Sequence, residues 1–184
     1  MNPSHNLFII GPTGAGKTSI GRRLAAHYGL IFIDLDQEIE QHCGVDVSTV
    51  FEIEGEPGFR QRESLLLEEI TRRHGLLLAT GAGAVLAESN RRHLGERGCV
   101  VWLQTTIAQQ LERLERDHRR PLLAGPDRRE RLEAMARIRE PIYRDLADLA
   151  IPGEHGSVAS ASERCIALID QYWQRPSASS RHST

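Results

Sequence analysis

The chain has 184 residues, 40% apolar and 26% charged, with a formal net charge of −2. That composition suits one globular domain with its own core, and the lack of a basic excess argues against a nucleic-acid binder. No run of about 18 apolar residues spans a membrane and Met1–Asn6 has no secretory-signal pattern, so a cytoplasmic protein is expected.

The apolar run Leu7–Ile10 reads as a buried strand and leads straight into Gly11-Pro12-Thr13-Gly14-Ala15-Gly16-Lys17-Thr18. This stretch fits G-x-x-x-x-G-K-[ST], a loop whose backbone N–H groups converge on phosphate oxygens at the start of a helix. Lys17 is the only lysine among 23 basic residues. It would neutralise the β- and γ-phosphates, and the Thr18 hydroxyl would take one Mg²⁺ position. Thr13, Gly14, Ala15, Gly16, Lys17, Thr18 and Ser19 are therefore the candidate contacts to a nucleoside triphosphate. The helix that follows, Gly16–Tyr28, puts Ile20, Leu24 and Tyr28 on one face.

A second strand, Leu30–Ile33, runs into Asp34-Leu35-Asp36. Period-two spacing places both acids on one side of an extended segment, at the sheet edge where ligands bind. One could hold a metal's water shell while the other orients and deprotonates an alcohol; equally, they could be a helix N-cap and a first-turn acid. A helix is expected over Asp36–Cys43. Arg60 follows the break Gly55-Glu56-Pro57-Gly58-Phe59, and another helix covers Ser64–Arg73. The third strand, Leu76–Thr80, ends at Gly81-Ala82-Gly83, which permits either close backbone approach to a ligand or a tight turn.

Cys99–Leu103 is the fourth strand. Cys43, Cys99 and Cys165 are scattered without metal spacing and read as reduced thiols. Thr106 with Gln109 forms a capping box for helix Ile107–Arg116. Arg119-Arg120-Pro121-Leu122-Leu123-Ala124-Gly125-Pro126 suits either a flap near 117–127 that swings an arginine onto phosphates or a solvated loop. An arginine-rich helix, Asp127–Arg139, should be interrupted by Pro141, leaving Arg139 beside a break. The fifth strand is Ala147–Ile151. Ser160 with Glu163 can cap a last helix carrying Ile166, Ile169 and Trp173, and residues 175–184 read as a disordered polar tail.

Strands alternating with helices predict an α/β fold over residues 1–174: a three-layer α/β/α domain of P-loop kinase type with a five-stranded parallel sheet. A GTPase switch is excluded, because its Asn-Lys-x-Asp stretch needs a second lysine.

In order, these pieces resemble the shikimate kinase family. The stretches that carry the resemblance are Gly11–Thr18, Phe32–Asp36, Phe51–Glu56 with Phe59–Glu63, Gly81–Val85, Arg120–Leu123 and Arg139–Tyr143. The resemblance implies phosphoryl transfer from ATP, with Mg²⁺, to the 3-hydroxyl of shikimate. It makes Asp36 the acid that holds the shikimate hydroxyls and accepts the proton, and Lys17 and Arg120 the groups that stabilise phosphoryl charge. Asp34 and Thr18 would support Mg²⁺. Arg60 and Arg139 would grip the substrate carboxylate, oriented by Glu63. Backbone amides of Gly81, Ala82 and Gly83 would line the substrate pocket, and Arg113 and Gly156 would lie on the adenine side. Two departures stand out: Ala82 replaces the middle glycine of the usual triplet, and the loop at 152–157 lacks the usual polar entry. A kinase of another small carboxylated alcohol, such as gluconate, is the rival reading. A monomer with shikimate as its only partner is expected.

Overall fold

The computed structural model describes residues 4–114, 127–153 and 156–173. Five strands, β1 (Leu7–Ile10), β2 (Ile31–Asp34), β3 (Leu76–Ala79), β4 (Cys99–Leu103) and β5 (Leu149–Ile151), pair in parallel in the order β2-β3-β1-β4-β5. All five were legible as apolar runs, with ends shifted by a residue or two. Residues β1 and β4 bury on both sides: Phe8, Ile10, Val100 and Trp102 point into one core, Leu7, Ile9, Cys99 and Val101 into the other. Such two-sided burial is why the strands read as continuous apolar runs rather than alternating ones.

The helices are α1 (Lys17–Tyr28), α2 (Leu35–Cys43), α3 (Val47–Thr71), α4 (Glu88–Arg97), α5 (Ile107–Leu114), α6 (Arg128–Leu146) and α7 (Val158–Tyr172). Ile20 and Leu24 of α1 and Ile169 of α7 pack on one sheet face, while Leu67 and Ile70 of α3, Leu94 of α4 and Tyr143 of α6 pack on the other. The result is the three-layer α/β/α fold expected of a P-loop kinase.

Three local expectations are corrected. Pro141 does not end α6, which continues to Leu146; proline removes one N–H donor, and packing of Ile142, Tyr143 and Leu146 against the core outweighs that loss. The break expected at Gly55–Gly58 is present as a kink in α3, where Gly55 has φ 68° and ψ 179°, but helical backbone resumes directly after it rather than at Ser64. Ser157, not Ser160, caps α7, accepting the Ser160 N–H at 3.1 Å. Helix α4 escaped sequence reading because only Asn90, His93 and Leu94 are buried on an otherwise polar segment. The predicted capping box is present: Thr106 Oγ1 accepts from Gln109 N at 3.2 Å, and Gln109 Oε1 accepts from Thr106 N at 3.0 Å. Residues 117–126 of the expected flap, Arg120 among them, and the tail at 175–184 lie outside the described residues.

Candidate active site

Parallel pairing brings the C-terminal ends of all strands to one edge, and the order of the strands reverses around β1, which makes that edge a ligand crevice. The phosphate loop leaves β1 there. Gly16 adopts a left-handed φ of 87° as it enters α1, a conformation costly for any residue with a Cβ. The first N–H groups of α1 have no carbonyl one turn earlier, so they favour an anion at this end. Lys17 is buried to 9% exposure, and its Nζ donates to Gly11 O and Pro12 O, both at 2.8 Å. The ammonium is thus fixed at the mouth of the loop.

Asp34 and Asp36 do not share one side of an extended segment as period-two spacing suggested. Asp34 ends β2 and caps α2, with Oδ1 accepting from Asp36 N at 3.1 Å, whereas Asp36 lies in the first helical turn. This is the N-cap and first-turn acid of the alternative reading. Asp34 Oδ2 also accepts from Thr18 Oγ1 at 2.6 Å, so a carboxylate and a hydroxyl meet beside the loop. Magnesium takes hard oxygen donors and needs only one or two carboxylates alongside substrate phosphates. The pair fits that ion, and no cluster of three metal-binding side chains exists among the described residues.

On the other side of the crevice, Arg60 is held by two carboxylates of α3. Its Nη1 donates to Glu63 Oε2 at 2.7 Å, and its Nε and Nη2 both reach Glu56 Oε1 at 3.3 Å. The Arg60 guanidinium also lies over the Phe59 ring, 5.2 Å from its centroid. Burial pulls the Arg60 pKa down, but the pairing with Glu63 and Glu56 more than restores it. Glu63 is 1% exposed. Burial lifts its pKa to about 7, against the pull of Arg60 and Arg139, with Asp36 adding to the rise.

Gly81 and Gly83 serve close approach rather than an unusual backbone. A Cβ on Gly81 would lie 2.8 Å from Glu63 Oε1 and 2.9 Å from Asp36 Oδ1, and one on Gly83 would fall onto the Arg60 guanidinium. Gly83 itself has an ordinary φ of −97°. Between them, Ala82 is buried, and its carbonyl accepts from Tyr143 Oη at 2.6 Å. Burial raises the pKa of both Tyr143 and Glu63, and Arg139, one turn before Tyr143 on α6, lies close enough for its charge to pull against that rise in each. Its setting is helical, not the break that Pro141 suggested.

The structure therefore brings together Lys17, Thr18 and Asp34 at the phosphate loop, and Asp36, Arg60, Glu63, Gly81, Ala82, Gly83 and Arg139 around the facing pocket. Arg113 of α5 donates to Gly14 O at 2.8 Å and so flanks the loop. Gly156 sits beside Ser160 in the turn into α7, with no described contact tying it to the phosphate loop. Sequence reasoning missed Glu56 and Tyr143 as site-forming residues. The four-residue spacings Glu56–Arg60 and Arg139–Tyr143 were the available signals, masked by prolines taken as helix breaks.

Residues 13–170 match the family model described as shikimate kinase. The chain is 50% identical to shikimate kinase of Methylococcus capsulatus over 90% of its length and 93% of that protein. It is 47% identical to shikimate kinase of Actinobacillus succinogenes over 94% and 99%. A solved structure of shikimate kinase from Acinetobacter baumannii in complex with shikimate superposes with a TM-score of 0.88 at 42% identity, covering 91% of this chain and 94% of that one. A gluconokinase from Sinorhizobium meliloti reaches a TM-score of 0.56 at 15% identity, a likeness of fold alone.

Proposed function

The chain belongs to the shikimate kinase family and uses ATP to phosphorylate an alcohol, and from that premise we infer how its own residues carry the reaction. It is a shikimate kinase, one step on the route to chorismate and the aromatic amino acids. Binding begins at the phosphate loop, where the α1 amides and Lys17 hold the β- and γ-phosphates. Thr18 and Asp34 would hold Mg²⁺, which neutralises phosphate charge when bound. Arg113 packs along the adenine side, while Gly156 and Arg120 are assigned to nucleotide and phosphates by resemblance only.

Shikimate lies in the facing pocket. Its carboxylate pairs with Arg60 and Arg139, whose planar forks suit bidentate binding. Glu63 and Glu56 fix the Arg60 fork before substrate arrives, which reduces the ordering left to binding. The backbone of Gly81, Ala82 and Gly83 lies against the ring because no side chain at Gly81 or Gly83 intervenes. Asp36 then orients the 3-hydroxyl toward the γ-phosphorus and accepts its proton at a carboxylate oxygen. The product is shikimate 3-phosphate, with ADP left on the loop.

The observation that carries this reading is the position of Arg60, half-buried against Gly83 and braced by two glutamates, near Asp36. It favours a compact acceptor bearing a carboxylate. Shikimate-dependent ADP formation that requires Mg²⁺ is the expected result. Equal turnover with gluconate, or ADP release indifferent to shikimate, would remove the assignment. We further take the protein to be a cytoplasmic monomer of residues 1–174 plus a polar tail; light scattering of the full chain tests the monomer.

A further inference from the structure

Glu63 presents an unusual atom. Its Oε2 accepts from Arg60, but its Oε1 is buried with no hydrogen-bond partner. That oxygen is turned toward the space over Gly81, where Asp36 Oδ1 also converges. A buried carboxylate oxygen without a donor is costly, so the pocket is arranged for a state other than the bare carboxylate.

The charges that face Glu63 come from three elements. On α3 there is Arg60, with Glu56 behind it; on α2, Asp36; on α6, Arg139, with the Tyr143 phenol beside it. Arg60 already serves two carboxylates. A substrate carboxylate entering between Arg60 and Arg139 would be a fourth anion, after Glu63, Glu56 and Asp36, around two guanidinium groups. Glu56 is 51% exposed and can turn into water, whereas Glu63 cannot. The buried acid must shed its charge where it stands.

We propose that the substrate carboxylate enters this pocket together with one proton, drawn from solvent, which lodges on Glu63 Oε1. No other bond is made or broken. The protonated Oε1 becomes a donor, so the orphaned atom gains a substrate oxygen or Asp36 as its acceptor. Glu63 is then a positioning residue that fixes Arg60 when ionised and matches the bound anion when neutral. Its carboxyl, already lifted to about 7 by burial, needs only a further rise to hold the proton in mildly alkaline solution. This inference rests on the placement of the substrate carboxylate at Arg60 given above.

Isothermal titration of shikimate into the full-length protein at about pH 8, in buffers of different ionisation enthalpy, reads the number of protons taken up. Uptake of a substantial fraction of one proton is expected, with Kd weakening toward tenfold per pH unit at higher pH. The neutral isostere Glu63→Gln should bind shikimate with no uptake and with a flat pH dependence. Tight wild-type binding without proton uptake overturns the proposal, even if the variant does not fold. Undiminished uptake by a folded Glu63→Gln overturns it too. Unchanged shikimate affinity in Arg60→Lys would instead overturn the carboxylate placement itself, and the proposal with it.

Discussion

The two ends of the crevice are built differently. The nucleotide end is one continuous stretch made chiefly of backbone, where Gly16 supplies a left-handed turn and Lys17 is pinned by carbonyls within six residues of it. The acceptor end is assembled from α2, α3, the loop after β3, and α6. There the work falls to side chains, and glycine supplies room: Gly83 has an ordinary backbone, yet any methyl on it would strike Arg60. The first end is fixed by local sequence and reads triphosphates in general. The second exists only once the sheet has formed, and on the proposed reading it selects the acceptor.

The strongest test of that division is Asp36→Asn. The change removes the proposed proton acceptor while leaving the phosphate loop untouched, so kcat should fall by about 10²- to 10⁴-fold with ATP affinity unchanged. Near wild-type turnover would show that Asp36 belongs to neither chemistry nor orientation. A loss of ATP binding instead would mean that the two ends are not separable.

Next in size is the pH dependence of stability, which the acceptor end should dominate. The Glu63 carboxyl sits near 7 in the fold against an ordinary value of 4.5. The folded protein therefore binds more protons than the unfolded chain between those limits. This contribution is full below the ordinary value and is lost as pH rises through about 7, on the order of 3 kcal/mol in all. Denaturant midpoints should fall over that window in the wild type and far less in Glu63→Gln. Parallel curves for the two proteins would place the proton elsewhere.

Much of this was legible in sequence, in proportion to how local each feature is. The phosphate loop, all five strands and the capping box at Thr106 depend on neighbours a few residues apart. The joint pattern of motifs named the candidate acceptor residues through family resemblance. It did not show why they meet: Asp36, Arg60, Gly83 and Arg139 converge through parallel pairing and helix packing, which no short window records. Pro141 misled for a physical reason. The loss of one N–H is a local cost that the packing of Tyr143 overrides, whereas Pro57 follows a real kink at Gly55 and sits in the first turn after it, where no helical bond is lost.

Arg60→Lys should weaken shikimate binding by about 10- to 100-fold, since hydrogen bonds to charged groups contribute roughly 1.5–3 kcal/mol and a point charge cannot replace the fork. Gly83→Ala should resemble it, because the added methyl displaces the same guanidinium. In both, KM for ATP should stay near its wild-type value. A matched rise for both substrates would break the contrast between the ends.

The smallest expected effect lies at the join. The Tyr143 hydroxyl donates to the Ala82 carbonyl, and its ring lies 5.8 Å from that of Trp102 on β4. Tyr143→Phe keeps the ring and removes only the hydroxyl, leaving a buried carbonyl short of its donor. The cost should be about 1 kcal/mol of stability. If the phenol merely braces α6, thermal stability falls and kinetics do not change. If it sets the height of the Gly81-Ala82-Gly83 backbone against the ring of the acceptor, KM for shikimate rises while KM for ATP does not. The second outcome is expected, because the bonded carbonyl lies between the two glycines that face Asp36, Glu63 and Arg60, so a shift there reaches the acceptor before it reaches the phosphate loop.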